Sequence, residues 1–170
     1  MRYVIIGAGA VGGTIGVRLS QAGHDVTLVA RGAHADAMRE RGLTLHSPDG
    51  TLTVRLPVVT NPADLVLPAD AALILTVKSQ DTETAVRRWA DVPVAGGGTA
   101  GERLPLFTAQ NGVANEQVAL RYFDLVHGVC VWLPATHLEP GVVVSSGHPY
   151  SGMLHVGRYP TGSDEASHAV

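Results

Sequence analysis

The sequence predicts an α/β fold: one domain built on a doubly wound, mostly parallel sheet. Three observations lead there. Short aliphatic runs alternate with stretches whose apolar residues recur at helical spacing. A glycine-rich turn, Gly7-Ala8-Gly9-Ala10-Val11-Gly12, joins the first run to the first such helix. The chain has 170 residues, and soluble domains run to roughly 100–200 residues.

The elements follow in order. Residues 3–6 are a β-branched run ended by Gly7, hence a buried strand. Val11, Ile15 and Leu19 mark one face of a helix over residues 10–21, and Gly23 reads as its C-cap. Residues 26–30 read as a second buried strand, and residues 35–41 as a polar helix stopped by Gly42. The runs 43–46 and 52–59 flank Ser47-Pro48-Asp49-Gly50, the signature of a β-hairpin. Residues 71–77 are continuously apolar, again a buried strand, and residues 82–89 are helical. Gly96-Gly97-Gly98 reads as a surface loop without the lysine-serine pair of a phosphate loop. A strand over 104–109 and a helix over 114–122 follow, then closing strands at 126–133, 142–145 and 153–156. Residues 1–162 form the main unit. Ser163-Asp164-Glu165 reads as a helix start with Ser163 as N-cap, so residues 163–170 begin a truncated helix.

Composition excludes several classes. Hydrophobic residues make up 45% and charged residues 16%, which rules out a disordered polyelectrolyte. A net charge of −3 argues against nucleic acid as a main partner. One cysteine cannot form an internal disulfide and fits a reducing cytoplasm. Arg2 and the apolar run after it superficially resemble a signal peptide, but one cation and a run broken by Gly7, Gly9, Gly12, Gly13 and Gly16 argue against it. No stretch approaches the ~20 apolar residues of a membrane helix.

The glycine turn carries the strongest chemistry. Gly7 permits a tight turn, Gly9 lets backbone approach a pyrophosphate, and Gly12 lets helix and strand pack closely. The amides opening the following helix then hold phosphate. The second strand's end chooses the cofactor. NAD sites usually place an acid about 20 residues beyond the fingerprint, for the ribose 2′-hydroxyl. This chain has Arg31 there, which suits a 2′-phosphate and therefore NADP. A solvated surface arginine is the plain alternative.

Lys78 follows a buried strand at its carboxyl end, where open α/β sheets bind ligands. It could touch cofactor or polarise a carbonyl; an ordinary solvated lysine is the alternative. Gln110-Asn111-Gly112 would mark a hairpin in other settings, but here a helix follows. Asn111 would then face the crevice of Lys78 and bond ribose or a keto substrate. Eight histidines show no metal-binding spacing, so no metal is expected. His24 lies beside the helix-ending Gly23, and Cys130 reads as core rather than nucleophile.

Together these residues resemble the ketopantoate reductase (2-dehydropantoate 2-reductase) family. The matching stretches are residues 2–12, Gly23-His24-Asp25-Val26, Arg31, Thr76-Val77-Lys78 and Gln110-Asn111-Gly112. The resemblance implies an NADP-binding Rossmann domain and reduction of a 2-keto acid such as ketopantoate to a 2-hydroxy acid. It assigns cofactor binding to the glycine turn and Arg31, and cleft roles at cofactor and substrate to Lys78 and Asn111. The family often has a glutamine three residues beyond that lysine; this chain has Asp81 there and Gln80 one place earlier. Pro134-Ala135-Thr136 also resembles a cofactor-side segment. The family's helical second domain, which supplies the general-acid lysine, is outside this sequence. Two other readings follow: a stand-alone NADPH-binding module without turnover, or one subunit of a split reductase. A face left open where a second domain docks would favour self-association.

Overall fold

The computed structural model describes residues 1–63 and 65–170, together with the backbone of Asp64. The chain runs through β1 (Arg2–Ile6), α1 (Ala10–Gln21), β2 (Asp25–Val29) and α2 (Gly32–Arg41). β3 (Leu43–Ser47) and β4 (Gly50–Val54) form the expected hairpin, and β5 (Val58–Val59) returns to β2. Then come β6 (Ala71–Leu75), α3 (Thr82–Ala90), α4 (Ala100–Arg103), β7 (Leu106–Thr108) and α5 (Asn115–Ala119). β8 (Val126–Trp132), β9 (Ala135–Glu139), β10 (Val142–Ser145), β11 (Met153–Arg158) and α6 (Glu165–Ala169) follow. Among the described residues no helix is long and apolar enough to cross a membrane.

The central sheet has seven strands in the order β11-β8-β7-β6-β1-β2-β5. All its pairs are parallel except β8 with β11. From β1 the chain steps outward to β2 and β5, then crosses back to β6 and proceeds the other way. The reversal lies between β1 and β6, where the carboxyl ends part to leave a crevice. β6 is buried along its whole length, as a strand covered on both faces must be. One face packs Ile5, Leu28 and Phe107 beneath α1, and the other packs Leu73, Leu75 and Leu106 beneath α3.

Helix α1 has the bounds its periodicity predicts. Its end is a full glycine cap: the Gly23 N–H donates to Ser20 O at 3.0 Å and the His24 N–H to Leu19 O at 3.1 Å. Gly23 takes φ +85, which a residue with a Cβ rarely adopts. The His24 ring meets Tyr3 edge-on, with centroids 5.3 Å apart.

Several expectations need correction. The run 52–59 is two strands in two sheets. Pro57 has no N–H for a ladder, and its carbonyl accepts from the Leu28 N–H at 2.8 Å, which draws the chain to β2. The hairpin and the 142–145 strand do not extend the central sheet. They join the unforeseen β9 in a second sheet, β4-β3-β10-β9, with β10 parallel to β3. This sheet covers the outer side of α1, where Gly13 leaves room for Val143 and Leu43. Period-two patterning marks a strand but not the sheet it enters. Helix α4 also escaped the periodicity; its signal is the capping box of Thr99 and Glu102. Cys130 is exposed, not core. It shares the uncovered face of the β8–β11 ladder with Trp132, Met153 and His155.

The N-cap of α6 is Asp164, not Ser163. Its carboxylate accepts from the Ser167 N–H at 2.9 Å and from His127 Nε2 at 2.8 Å, and Arg158 Nη1 stands 3.3 Å away. His127 is fully buried and stacks on Phe107 at 4.6 Å. Burial pushes the Asp164 carboxyl up, but the Ser167 amide and the His127 ring outweigh it and hold it down to about 2.

Candidate functional site

The crevice at the sheet's reversal is a cavity of about 470 Å³. Gly7, Ala8 and Gly9 form one wall, Arg31 stands at the end of β2, and Lys78 follows β6. A second concavity of about 460 Å³ lies against α1 around Arg18 and Tyr150 and is lined by none of the predicted site residues.

The turn is pinned on three sides. The Gly7 and Ala8 N–H groups both donate to Val29 O, at 3.1 and 2.9 Å. The Gly9 N–H donates to Gly7 O at 2.8 Å. The Thr76 hydroxyl, from the end of β6, donates to Gly7 O at 2.7 Å. The three glycines differ in what they face. Gly7 takes φ +106, and a Cβ there would press on Val77 at 2.9 Å. A Cβ on Gly12 would overlap the Gly7 carbonyl and the Thr76 hydroxyl. A Cβ on Gly9 would meet nothing within 4 Å, because Gly9 faces the open crevice. Ala10, Val11 and Gly12 do not line the cavity; they open α1, where their amides have no intrahelical acceptor. The bare backbone wall leaves room for a dinucleotide, and the free amides at the start of α1 suit its pyrophosphate.

Arg31 is the N-cap residue of α2, and its side chain is 78% exposed. Across the mouth its Nη2 lies 3.5 Å from Asp81 Oδ2. Gln80 also lines the cavity. Asn111 does not. It is exposed on the loop after β7, and its backbone carbonyl accepts from Ser79 Oγ at 3.4 Å, which ties that loop to the one bearing Lys78. Gly112 takes φ +97 and a helix follows, so this Asn-Gly pair makes no hairpin. Pro134-Ala135-Thr136, at the start of β9, is away from the cavity lining.

Two contributors had no role assigned from the sequence, although Gln110 stands in the Gln110-Asn111-Gly112 motif. Gln110 is buried, and its amide donates to Val77 O at 2.7 Å and to Thr82 Oγ1 at 2.8 Å. This braces the turn carrying Lys78, while Gln110 Oε1 is buried without a partner among the described residues. His34 lines the crevice and links three elements. Its Nδ1 accepts from the Gly141 N–H at 2.9 Å, so Nε2 carries the proton and donates to Ala8 O at 2.7 Å. No motif marks it; a lone histidine early in a helix carries no signal by itself.

Burial lowers the His34 pKa from 6.5, the Ala8 carbonyl opposes that, and the nearby His137 adds to it. The unfolded chain therefore takes up this proton at higher pH than the folded chain. The stability share is full above 6.5 and falls as pH drops through the folded titration. His34→Ala is expected to cost about 1–3 kcal/mol through the two lost hydrogen bonds. It should also flatten the fall in urea midpoint between pH 7 and pH 5. A variant as stable and as acid-sensitive as the parent would refute the link.

The ketopantoate reductase PanE/ApbA family model matches residues 3–161. The chain is similar to a 2-dehydropantoate 2-reductase of Pyrococcus horikoshii, at 31% identity over 97% of this chain and 50% of that one. It is 32% identical to that of Halobacterium salinarum, over 96% of this chain and 51% of that one. The chain thus spans about half the length of the curated relatives it matches. A PanE/ApbA family ketopantoate reductase from Ralstonia eutropha JMP134 matches with TM-score 0.79 at 27% identity, over 95% of this chain and 51% of that one. D-mandelate dehydrogenase in a ternary structure with NADH and anilino(oxo)acetate matches with TM-score 0.81 at 22% identity, over 99% of this chain and 51% of that one, a likeness of fold.

Proposed function

The chain belongs to the ketopantoate reductase PanE/ApbA family, and from that premise we propose that it is the cofactor-binding part of an NADPH-dependent oxidoreductase. The substrate class is a 2-keto acid such as ketopantoate, reduced to the 2-hydroxy acid. The observation that carries the reading is Gly9, open to the crevice between Arg31 and Lys78.

When bound, NADPH supplies the hydride for the carbonyl carbon. The chain's residues do the rest of the holding. The amides of Ala10, Val11 and Gly12 take the pyrophosphate. Arg31 takes the 2′-phosphate. Lys78 would serve the nicotinamide end and the keto oxygen, and Asn111 would bond ribose or substrate. The resemblance gives the proton donor to the family's helical domain, so turnover needs that second part.

Calorimetric titration of the 170-residue chain with NADPH and NADH tests the reading. NADPH is expected to bind more tightly. Arg31→Ala should weaken NADPH about tenfold, since charged hydrogen bonds contribute ~1.5–3 kcal/mol and an exposed arginine sits at the low end. NADH should change less than about twofold, because it lacks the phosphate Arg31 would hold. Equal losses for both would overturn the assignment of Arg31, and binding of neither would overturn the proposed function.

A further inference from the structure

The crevice contains a carboxylate that its cofactor chemistry does not call for. Asp81 is the N-cap residue of α3, and aspartate is among the preferred residues there, yet its side chain makes no capping hydrogen bond. It turns instead toward Arg31, fifty positions away in sequence, with Oδ2 3.5 Å from the guanidinium Nη2. The pair spans the mouth of the crevice, from the turn after β2 to the turn after β6.

We propose that Asp81 is a second determinant of cofactor choice, opposing a 2′-phosphate at Arg31 and accepting a hydrogen bond from an unphosphorylated ribose. This rests on the reading of the crevice as a dinucleotide site. The argument is one of distance. A phosphate oxygen on Arg31 Nη2 would sit at about 2.8 Å. With Asp81 Oδ2 3.5 Å from that nitrogen, the two like charges lie no more than about 6 Å apart, inside the Debye length at ordinary salt. Binding a 2′-phosphate therefore brings a second anion beside the Asp81 carboxylate and makes the two share one guanidinium. A ribose 2′-hydroxyl meets no such opposition and can donate to the acid, as it does to the acid at the end of the second strand in NAD sites. The carboxylate that β2 lacks is delivered from the β6–α3 turn. Arg31 and Asp81 together set how far NADPH is preferred over NADH.

The test is calorimetric titration of the parent chain, Asp81→Asn and Arg31→Ala with NADPH, NADH, 2′,5′-ADP and 5′-AMP. The short nucleotides probe the adenosine end without the nicotinamide. Asp81→Asn is expected to tighten NADPH and 2′,5′-ADP about three- to tenfold at low salt. NADH and 5′-AMP should stay level or weaken up to about threefold, for want of one hydrogen bond to a charged group. The change should shrink in 0.5 M salt, since both side chains are more than 40% exposed. An unaltered NADPH-to-NADH affinity ratio in Asp81→Asn would overturn the inference, as would parallel changes in both, which mark a structural role. If Arg31→Ala still loses NADPH selectively, that failure leaves the function in place. If the parent binds none of the four, both fall together.

Discussion

Gly12→Ala is expected to lower the unfolding free energy by about 3 kcal/mol or more and to remove dinucleotide binding. The new methyl group would overlap the carbonyl oxygen of Gly7 and the hydroxyl of Thr76, and would press on Ile5 Cγ2 at 2.9 Å. The first obstacle is backbone, in a turn held by Val29 O and by Thr76 itself. Relief means lifting α1 from β1 or opening the turn, and either dismantles the crevice wall. Gly9→Ala is the matched control. Gly9 has φ −74, and its added methyl would meet no neighbour within 4 Å. That variant should keep its urea midpoint and lose affinity only because the methyl occupies space the ligand needs. A Gly12→Ala unfolding free energy within about 0.5 kcal/mol of the parent's would contradict the packing argument.

Asp164→Ala is expected to cost about 3 kcal/mol, a helix cap contributing ~1 and a stranded buried donor ~1–3. His127 is fully buried, and Asp164 is the partner of its Nε2. Without the carboxylate that nitrogen loses its acceptor, and the Arg158 guanidinium beside it offers donors only. The acid limb gives an independent readout. Asp164 is held down to about 2 from 3.8, so its share of stability is present above 3.8 and is lost as pH falls through about 2. The parent should lose that share in acid and Asp164→Ala should have none to lose. Asp164→Asn should recover part of the loss at pH 7, since its amide oxygen can still accept from His127 or cap α6. An Asp164→Ala variant with the parent's urea midpoint, and with the α6 amides still protected from exchange, would show that α6 docks by other means.

Local chemistry was legible wherever one stretch of chain both poses and answers its own question. The 3.6-residue period and Gly23 bound α1 without outside help. The glycine turn needs only β1 before it and α1 after it, so the tight turn at Gly7 and the close packing at Gly12 could be read in advance. Parallel order then sets the ends of β1, β2 and β6 side by side, which is why Gly7, Gly9, Arg31 and Lys78 meet in one crevice. Asn111 was placed by the same rule and fell outside the cavity, because β7 is one strand further from the reversal.

The sequence by itself thus determined the α/β class, the glycine turn between β1 and α1, and the positions of Arg31 and Lys78 at the crevice. Tertiary structure alone decided who partners whom. It sent β3, β4, β9 and β10 to a second sheet over α1, and left Cys130 on an uncovered face. It set Asp81 against Arg31, His34 between Ala8 and Gly141, and Asp164 under His127. The reason is range. Periodicity, caps and turns act over a few residues and leave their mark in adjacent letters. A hydrogen bond between residues fifty or a hundred positions apart depends on how layers stack, and no short stretch of sequence carries that information.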